Sequence, residues 1–220
     1  MLQHVYERSI RAGRLSAVIV ATDDSRIFDL ARGFGAEVVM TSPDHVCGTD
    51  RVAEVAAGPR GAGIDVIVNV QGDQPLIDPA ALDRLVEVFD AGSGPGSDVP
   101  KMATLFEPID DEASMNDPNV AKVVADQRGD ALYFSRSPIP HQRAGFQRTA
   151  CFKHVGVYAF RKDFLFEFTR MERGVLEEIE SLEQLRALEA GHRIRLVPSI
   201  GSSLSVETPG DLVRVQALMQ

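Results

Sequence analysis

Apolar positions recur along this chain in two periods, one helical and one extended, and the switches between them mark its elements. Leu2, Val5, Ser9 and Ile10 recur at helical spacing and predict a helix that stops near Gly13. Ala17–Ala21 is a continuous apolar run and predicts a strand buried on both faces. Ile27, Leu30, Ala31 and Phe34 form one stripe of a helix over Asp24–Phe34, and Glu37–Met40 reads as a short strand. A third helix is expected over Asp50–Ala57, a loop over Gly58–Gly63, a strong central strand over Asp65–Val70 and a helix over Pro79–Asp90.

The pattern changes after a Gly/Ser/Pro-rich linker, Ala91–Pro100. Ala121–Val124 and Ala131–Phe134 flank Gln127–Asp130 and predict an antiparallel hairpin. Helices return over Lys162–Arg170 and Leu176–Ala190, and a last strand is expected near Arg193–Val197. Thr208-Pro209-Gly210-Asp211 opens a final helix with an N-cap, an N1 proline and an acid in the first turn. Short apolar strands alternating with helices predict an α/β fold with a mostly parallel, Rossmann-like sheet covered on both faces, into which the hairpin region is inserted. Ligands of such sheets bind beyond the carboxyl ends of the strands. That rule puts Ala21-Thr22-Asp23 and Gln71-Gly72-Asp73 on one rim.

Composition narrows the class. With 220 residues the chain can bury one core without staples, and Cys47 and Cys151 are too few and too far apart for a disulfide framework or a metal cluster. No signal peptide opens it, and no apolar run approaches the roughly 20 residues a membrane span needs, so a cytoplasmic location is expected. A formal net charge of -9 argues against broad nucleic-acid binding. A small anionic ligand would need local cations, backbone N–H groups or a divalent metal.

The pentapeptide Gln71-Gly72-Asp73-Gln74-Pro75 joins a glycine that permits close approach to a carboxylate at the mouth of the sheet. A hard cation such as Mg²⁺ prefers that donor, although a solvated turn carboxylate fits the same pentapeptide. Gly48-Thr49, near a helix start, offers donors to a polar ligand or simply begins a helix. Cys47 has no His and carboxylate demonstrably beside it and reads as a structural thiol. His154 and Tyr158 share one face of a strand and Arg136 ends another, which suits a sugar acid or ordinary core packing with polar tips. Glu183 and Gln184 fall in a stretch that reads as an amphipathic helix with a solvated face. Glu207 is a second acidic ligand or a helix-dipole charge.

As an ordered set these signals are specific. Val-Asn-Val-Gln-Gly-Asp-Gln-Pro75, Tyr-Phe-Ser-Arg136, His154-Val-Gly-Val-Tyr158, Leu-Glu-Gln-Leu-Arg186 and Val-Glu-Thr-Pro209 together resemble the 3-deoxy-manno-octulosonate cytidylyltransferases, or CMP-Kdo synthetases. His45-Val-Cys-Gly-Thr49 and Ala121-Lys-Val-Val124 fit as well, so the resemblance covers nearly the whole chain. It implies transfer of CMP from CTP to 3-deoxy-manno-octulosonate (Kdo) for lipopolysaccharide biosynthesis. Asp73 and Glu207 would hold Mg²⁺, and Gln71, Gly48 and Thr49 would approach the nucleotide. Arg136, His154, Tyr158, Glu183 and Gln184 would line the sugar side. It further implies one nucleotidyltransferase domain over residues 1–220, with a sugar-binding and dimerisation region at 101–160 and a homodimer.

Two departures from the family pattern stand out. Glu207 occupies a position where the family often has Asp. The resemblance also starts at Met1, after the place where the family carries a strand and an Arg-Leu-Pro-Gly-Lys-Pro-like nucleotide loop. The expectation is therefore an enzyme whose sequence starts late. The alternatives are a truncated, non-catalytic sugar- or subunit-binding relative, and a cytidylyltransferase for another acidic sugar such as amino-Kdo or sialic acid.

Overall fold

The computed structural model describes residues 1–90, 99–148, 151–199, 204–206 and 208–219. Most of the linker at 91–100 therefore lies outside the described residues. Helix α1 (Leu2–Ser9) turns Val5 and Ser9 inward. Strand β1 (Ile19–Thr22) leads to helix α2 (Ser25–Gly33), where Asp24 accepts the Arg26 N–H at 2.8 Å as N-cap. Strand β2 (Glu37–Met40) lies parallel to β1 with Ile19 opposite Glu37. Helix α3 (Gly48–Ala57), strand β3 (Val66–Asn69) and helix α4 (Pro79–Glu87) follow, the last capped by Asp78 with Pro79 at its first turn.

The second half runs β4 (Met102–Pro108), α5 (Glu112–Asn116), β5 (Lys122–Ala125), β6 (Ala131–Ser135), β7 (Phe152–Arg161), α6 (Lys162–Phe168), α7 (Val175–Glu180), α8 (Leu185–Glu189), β8 (Ile194–Pro198) and α9 (Pro209–Leu218). The expected capping signal at α9 is realised reciprocally. Thr208 Oγ1 accepts the Asp211 N–H at 3.2 Å, and Asp211 Oδ2 accepts the Thr208 N–H at 2.9 Å. No helix among the described residues is long and apolar enough to cross a membrane.

The larger sheet runs β6-β5-β7-β4-β8, with β3 also paired to β7. The pleat sends alternate residues to opposite layers. Met102 and its partner Phe160 join a core with α3, α6 and α8, whereas Ala103 and its partner Ala159 join a core with α4. The α/β class, the helical cover on both faces and the antiparallel β5–β6 hairpin follow the expectation, with Gly129 at φ 82° in the hairpin turn.

Strand direction is more mixed than the strand–helix alternation implied. Of the pairings among the described residues, β1–β2 and β4–β8 are parallel, and β3–β7, β4–β7, β5–β6 and β5–β7 are antiparallel. The ten-residue β7 causes this, because it runs antiparallel to β3, β4 and β5 alike. Two strand expectations change with it. β3 has only β7 as a described partner, so it lies at a border of this sheet and not at its centre. β1 is buried at alternate positions only, Val20 and Thr22, with Ile19 and Ala21 half-buried. The helix expected over Leu176–Ala190 is two helices, because Ser181 takes the left-handed conformation (φ 53°, ψ 47°) and ends α7.

Candidate active site

Strand β3 delivers the site's first residues. Asn69, its last residue, is buried, and the chain then turns through Gln71–Pro75, with the Gln74 N–H bonded to the Gln71 carbonyl at 3.3 Å. Gln71 Nε2 donates to Asn69 Oδ1 at 3.4 Å, and Asn69 Nδ2 donates to Thr49 Oγ1 at 3.2 Å. The Thr49 hydroxyl in turn donates to Glu183 Oε1 at 2.8 Å. Thr49 is fully buried, so it enters the site as the support of Glu183. Gly48 lies against the Gln71 side chain: a Cβ there would stand 3.5 Å from Nε2, within ordinary contact.

A second cluster grows from β7. Tyr158 and Gln184 are buried, and the Tyr158 hydroxyl donates to Gln184 Oε1 at 3.0 Å. Gln184 Nε2 faces His154 Nδ1 at 3.4 Å, and His154 Nε2 lies 2.9 Å from Thr104 Oγ1. The Thr104 hydroxyl proton is used on the Val157 carbonyl at 2.9 Å, so Thr104 accepts from His154 Nε2–H and Nδ1 accepts from Gln184. Burial pushes the His154 pKa down from 6.5 to about 3, which keeps the ring neutral at pH 7. The polar tips of His154, Tyr158 and Gln184 are thus tied to one another.

Arg136 follows β6. Its Nε donates to the Glu180 carbonyl at 2.8 Å, its Nη1 to the Pro118 carbonyl at 3.1 Å, and its backbone N–H to Glu180 Oε2 at 2.8 Å. Next to it Lys122 is fully buried, and its ammonium donates to the carbonyls of Asp117, Val120 and Arg136 at 2.8, 2.6 and 2.5 Å. The stretch expected to be an amphipathic helix with a solvated face is instead a packed corner. Arg186 and Glu177 pair inside it at 2.5 Å, and burial raises the pKa of Glu183.

Asp73 stands two residues beyond Gln71. Its carbonyl accepts the Val206 N–H at 2.9 Å, which brings the segment before α9 to the turn. One carboxylate oxygen, Oδ1, is buried with no hydrogen-bond partner, and burial raises the pKa of the group. An ionised oxygen donor left open in this way fits a hard cation. Glu207, the expected second ligand, lies outside the described residues. Among those described, no group of three or more His, Cys, Asp or Glu side chains is placed to hold a metal.

The structure thus joins Gln71, Thr49 and Glu183 through Asn69, with Gly48 packed on Gln71, and it joins His154, Tyr158 and Gln184 through direct hydrogen bonds. Arg136 meets the same corner through Glu180. Asn69, Thr104 and Glu180 were not singled out from the sequence. Each acts through a partner distant along the chain, which a linear pattern does not show. Cys47 carries no nucleophile signature, since burial pushes its pKa up to about 11.

Comparison with known proteins identifies the family. A family model described as cytidylyltransferase matches residues 1–194. The chain is 50% identical to a 3-deoxy-manno-octulosonate cytidylyltransferase of Solibacter usitatus, over all of this chain and 84% of that protein. It is 49% identical to the one of Trichlorobacter lovleyi, over all of this chain and 88% of that protein. A solved structure of CMP:2-keto-3-deoxy-manno-octonic acid synthetase complexed with CTP superimposes with a TM-score of 0.89 at 39% identity, covering 99% of this chain and 86% of that one. A 4-diphosphocytidyl-2C-methyl-D-erythritol synthase, at 16% identity and a TM-score of 0.62, shares the fold. Fold and site define a nucleotidyltransferase of the cytidylyltransferase class. Within that class, the chain belongs to the 3-deoxy-manno-octulosonate cytidylyltransferase (CMP-Kdo synthetase) family.

Proposed function

We propose that this protein transfers CMP from CTP to the anomeric hydroxyl of Kdo, forming CMP-Kdo and pyrophosphate for lipopolysaccharide biosynthesis in the cytoplasm. One observation supports this most: a continuous set of hydrogen bonds runs from Gln71 through Asn69 and Thr49 to Glu183. The two side chains assigned to the nucleotide and the sugar are thereby held in one frame, as an in-line attack on the α-phosphorus requires. On the sugar side, Arg136 supplies the fixed cation for the Kdo carboxylate. His154, Tyr158 and Gln184 form a neutral, mutually satisfied wall that orients the hydroxyls.

Asp73 and Glu207 would hold Mg²⁺. When bound, the ion neutralises triphosphate charge and polarises the phosphoryl oxygens. Asp73 contributes a carboxylate that is already half-desolvated and open on one oxygen, so little reorganisation accompanies cation binding. The active form is a homodimer, with the contact at the β5–β6 hairpin of the 101–160 region. Leu132, 62% exposed on the terminal strand β6, supports that placement.

The test is pyrophosphate release from CTP, with the nucleotide sugar identified by mass spectrometry. Kdo with Mg²⁺ is expected to give CMP-Kdo, and omission of the metal is expected to stop it. Equal turnover with sialic acid, or none with Kdo even after the upstream segment is added, would refute the assignment.

A further inference from the structure

Glu180 ends α7 three residues before Glu183, and no substrate role falls to it in the reading above. Its side chain is nevertheless spent on the strand end that carries Arg136. Oε2 accepts the Arg136 N–H at 2.8 Å, and Oε1 accepts the Ser135 hydroxyl at 2.6 Å. The Glu180 carbonyl accepts Arg136 Nε at 2.8 Å, so one residue grips both the backbone and the guanidinium of Arg136. The guanidinium is held at Nε by Glu180 and at Nη1 by Pro118, and Nη2 has no protein acceptor among the described residues. A planar fork fixed on one side and open on the other presents its free edge to an anion.

The backbone explains why Glu180 can do this while its neighbours serve other partners. Ser181 has φ 53°, the one non-glycine residue with positive φ among those described. The turn it makes sends Glu180 toward β6, Glu183 toward Thr49 at the start of α3, and Gln184 toward Tyr158 on β7. A left-handed conformation at a residue with a Cβ persists only where its surroundings hold it, and such residues concentrate at functional sites.

We infer that Glu180 is a positioning residue for Arg136, fixing the guanidinium edge that recognises the carboxylate of the sugar acid. This rests on Arg136 binding that carboxylate, as the functional reading assigns. Loss of the clamp frees a long side chain, and a displacement of about 1 Å at a positioned group lowers efficiency by up to roughly 100-fold.

The test is a double-mutant cycle on the full chain, read as KM for Kdo and for CTP separately. Glu180→Ala is expected to raise KM for Kdo roughly 10- to 100-fold while KM for CTP stays within about twofold. Glu180→Gln keeps an acceptor for the Arg136 N–H and should recover part of the loss. In an Arg136→Ala background, Glu180→Ala should add no more than about twofold, because the group it positions is gone. Equal rises in both KM values, an unchanged Kdo KM, or a full additional loss in the Arg136→Ala background would each overturn the inference. Where Glu180→Ala does not fold, Glu180→Gln carries the same cycle. If neither the unsubstituted chain nor one extended upstream of Met1 forms CMP-Kdo, the functional reading fails. Calorimetric titration with Kdo then judges Glu180 alone, and an unchanged affinity in the variant sinks its role.

Discussion

Replacing Asp73 with Asn removes a charge and leaves the shape. Asp73 Oδ1 is buried without a partner, and burial raises the carboxyl pKa above 3.8. A group whose folded pKa lies above its unfolded value contributes stability below the unfolded pKa and loses it as pH rises through the folded one. At pH 7.5 and without cation, the ionised Asp73 therefore destabilises the fold. A buried unsatisfied polar group costs about 1–3 kcal/mol, and because this carboxylate is only half-buried the lower end applies, about 1 kcal/mol. For a chain of this size that corresponds to a melting shift of roughly 2–4 °C. In EDTA at pH 7.5, Asp73→Asn is expected to melt about 2–4 °C above the unsubstituted protein, and the gap should close as the pH falls toward 4. Mg²⁺ with CTP should raise the melting temperature of the parent and not of the variant, and turnover should disappear. Differential scanning calorimetry decides the point. A variant less stable than the parent in EDTA, or one still stabilised by Mg²⁺ with CTP, refutes the assignment of Asp73 as a desolvated cation ligand.

Three further outcomes follow from the buried groups. The ring protons of His154 should keep constant chemical shifts from pH 5 to 8, since its pKa is held near 3 by burial, and an inflection near 6.5 would contradict the neutral wall. Because that folded pKa is depressed, its stabilising effect is complete above 6.5. It fades as the pH falls toward 3, by up to about 1.4 kcal/mol per pH unit in denaturant titrations. Glu177→Ala leaves the Arg186 guanidinium without its partner at 2.5 Å and should cost about 3–5 kcal/mol in urea unfolding. A loss below about 1 kcal/mol would show that Phe168, 4.8 Å from the guanidinium, and the Phe168 carbonyl hold Arg186 by themselves. Cys47, with its pKa pushed up to about 11, should react with iodoacetamide at pH 7.5 roughly 100-fold more slowly than an ordinary thiol. Rapid mass labelling there would refute its desolvation.

Local signals carried much of the fold and long-range ones little. The cap at Thr208 lies where the residue types announce it, since its bond joins residues three apart, and the caps at Asp24 and Asp78 are equally local, each joining residues two apart. The antiparallel course of β7 has no such signature. Its partners β3, β4 and β5 are remote in sequence, and an apolar run of given length pairs equally well in either direction. The site divides in the same way. Asp73 is visible as a carboxylate after a strand, but the Thr49–Glu183 bond spans 134 residues, and the buried Arg186–Glu177 pair sits in a stretch whose composition suits a solvated helix.

The corner at Ser181 shows how one backbone break redistributes residues that a continuous helix would align. On the continuous helix expected over Leu176–Ala190, Glu180, Glu183 and Gln184 would occupy positions i, i+3 and i+4, one above another on a single face. All three would then address one neighbouring surface. In the structure the left-handed Ser181 separates them, and they reach the end of β6, the start of α3 and the middle of β7. Helical periodicity alone would hold these residues on one face, and the break lets each one meet a different element. The cost is a strained residue of order 1–3 kcal/mol, offset by the Arg186–Glu177 pair and by Leu182 and Leu185, which are buried beside it. The helices that flank the corner are short, six residues in α7 and five in α8, so the three side chains stay close to the break that separates them.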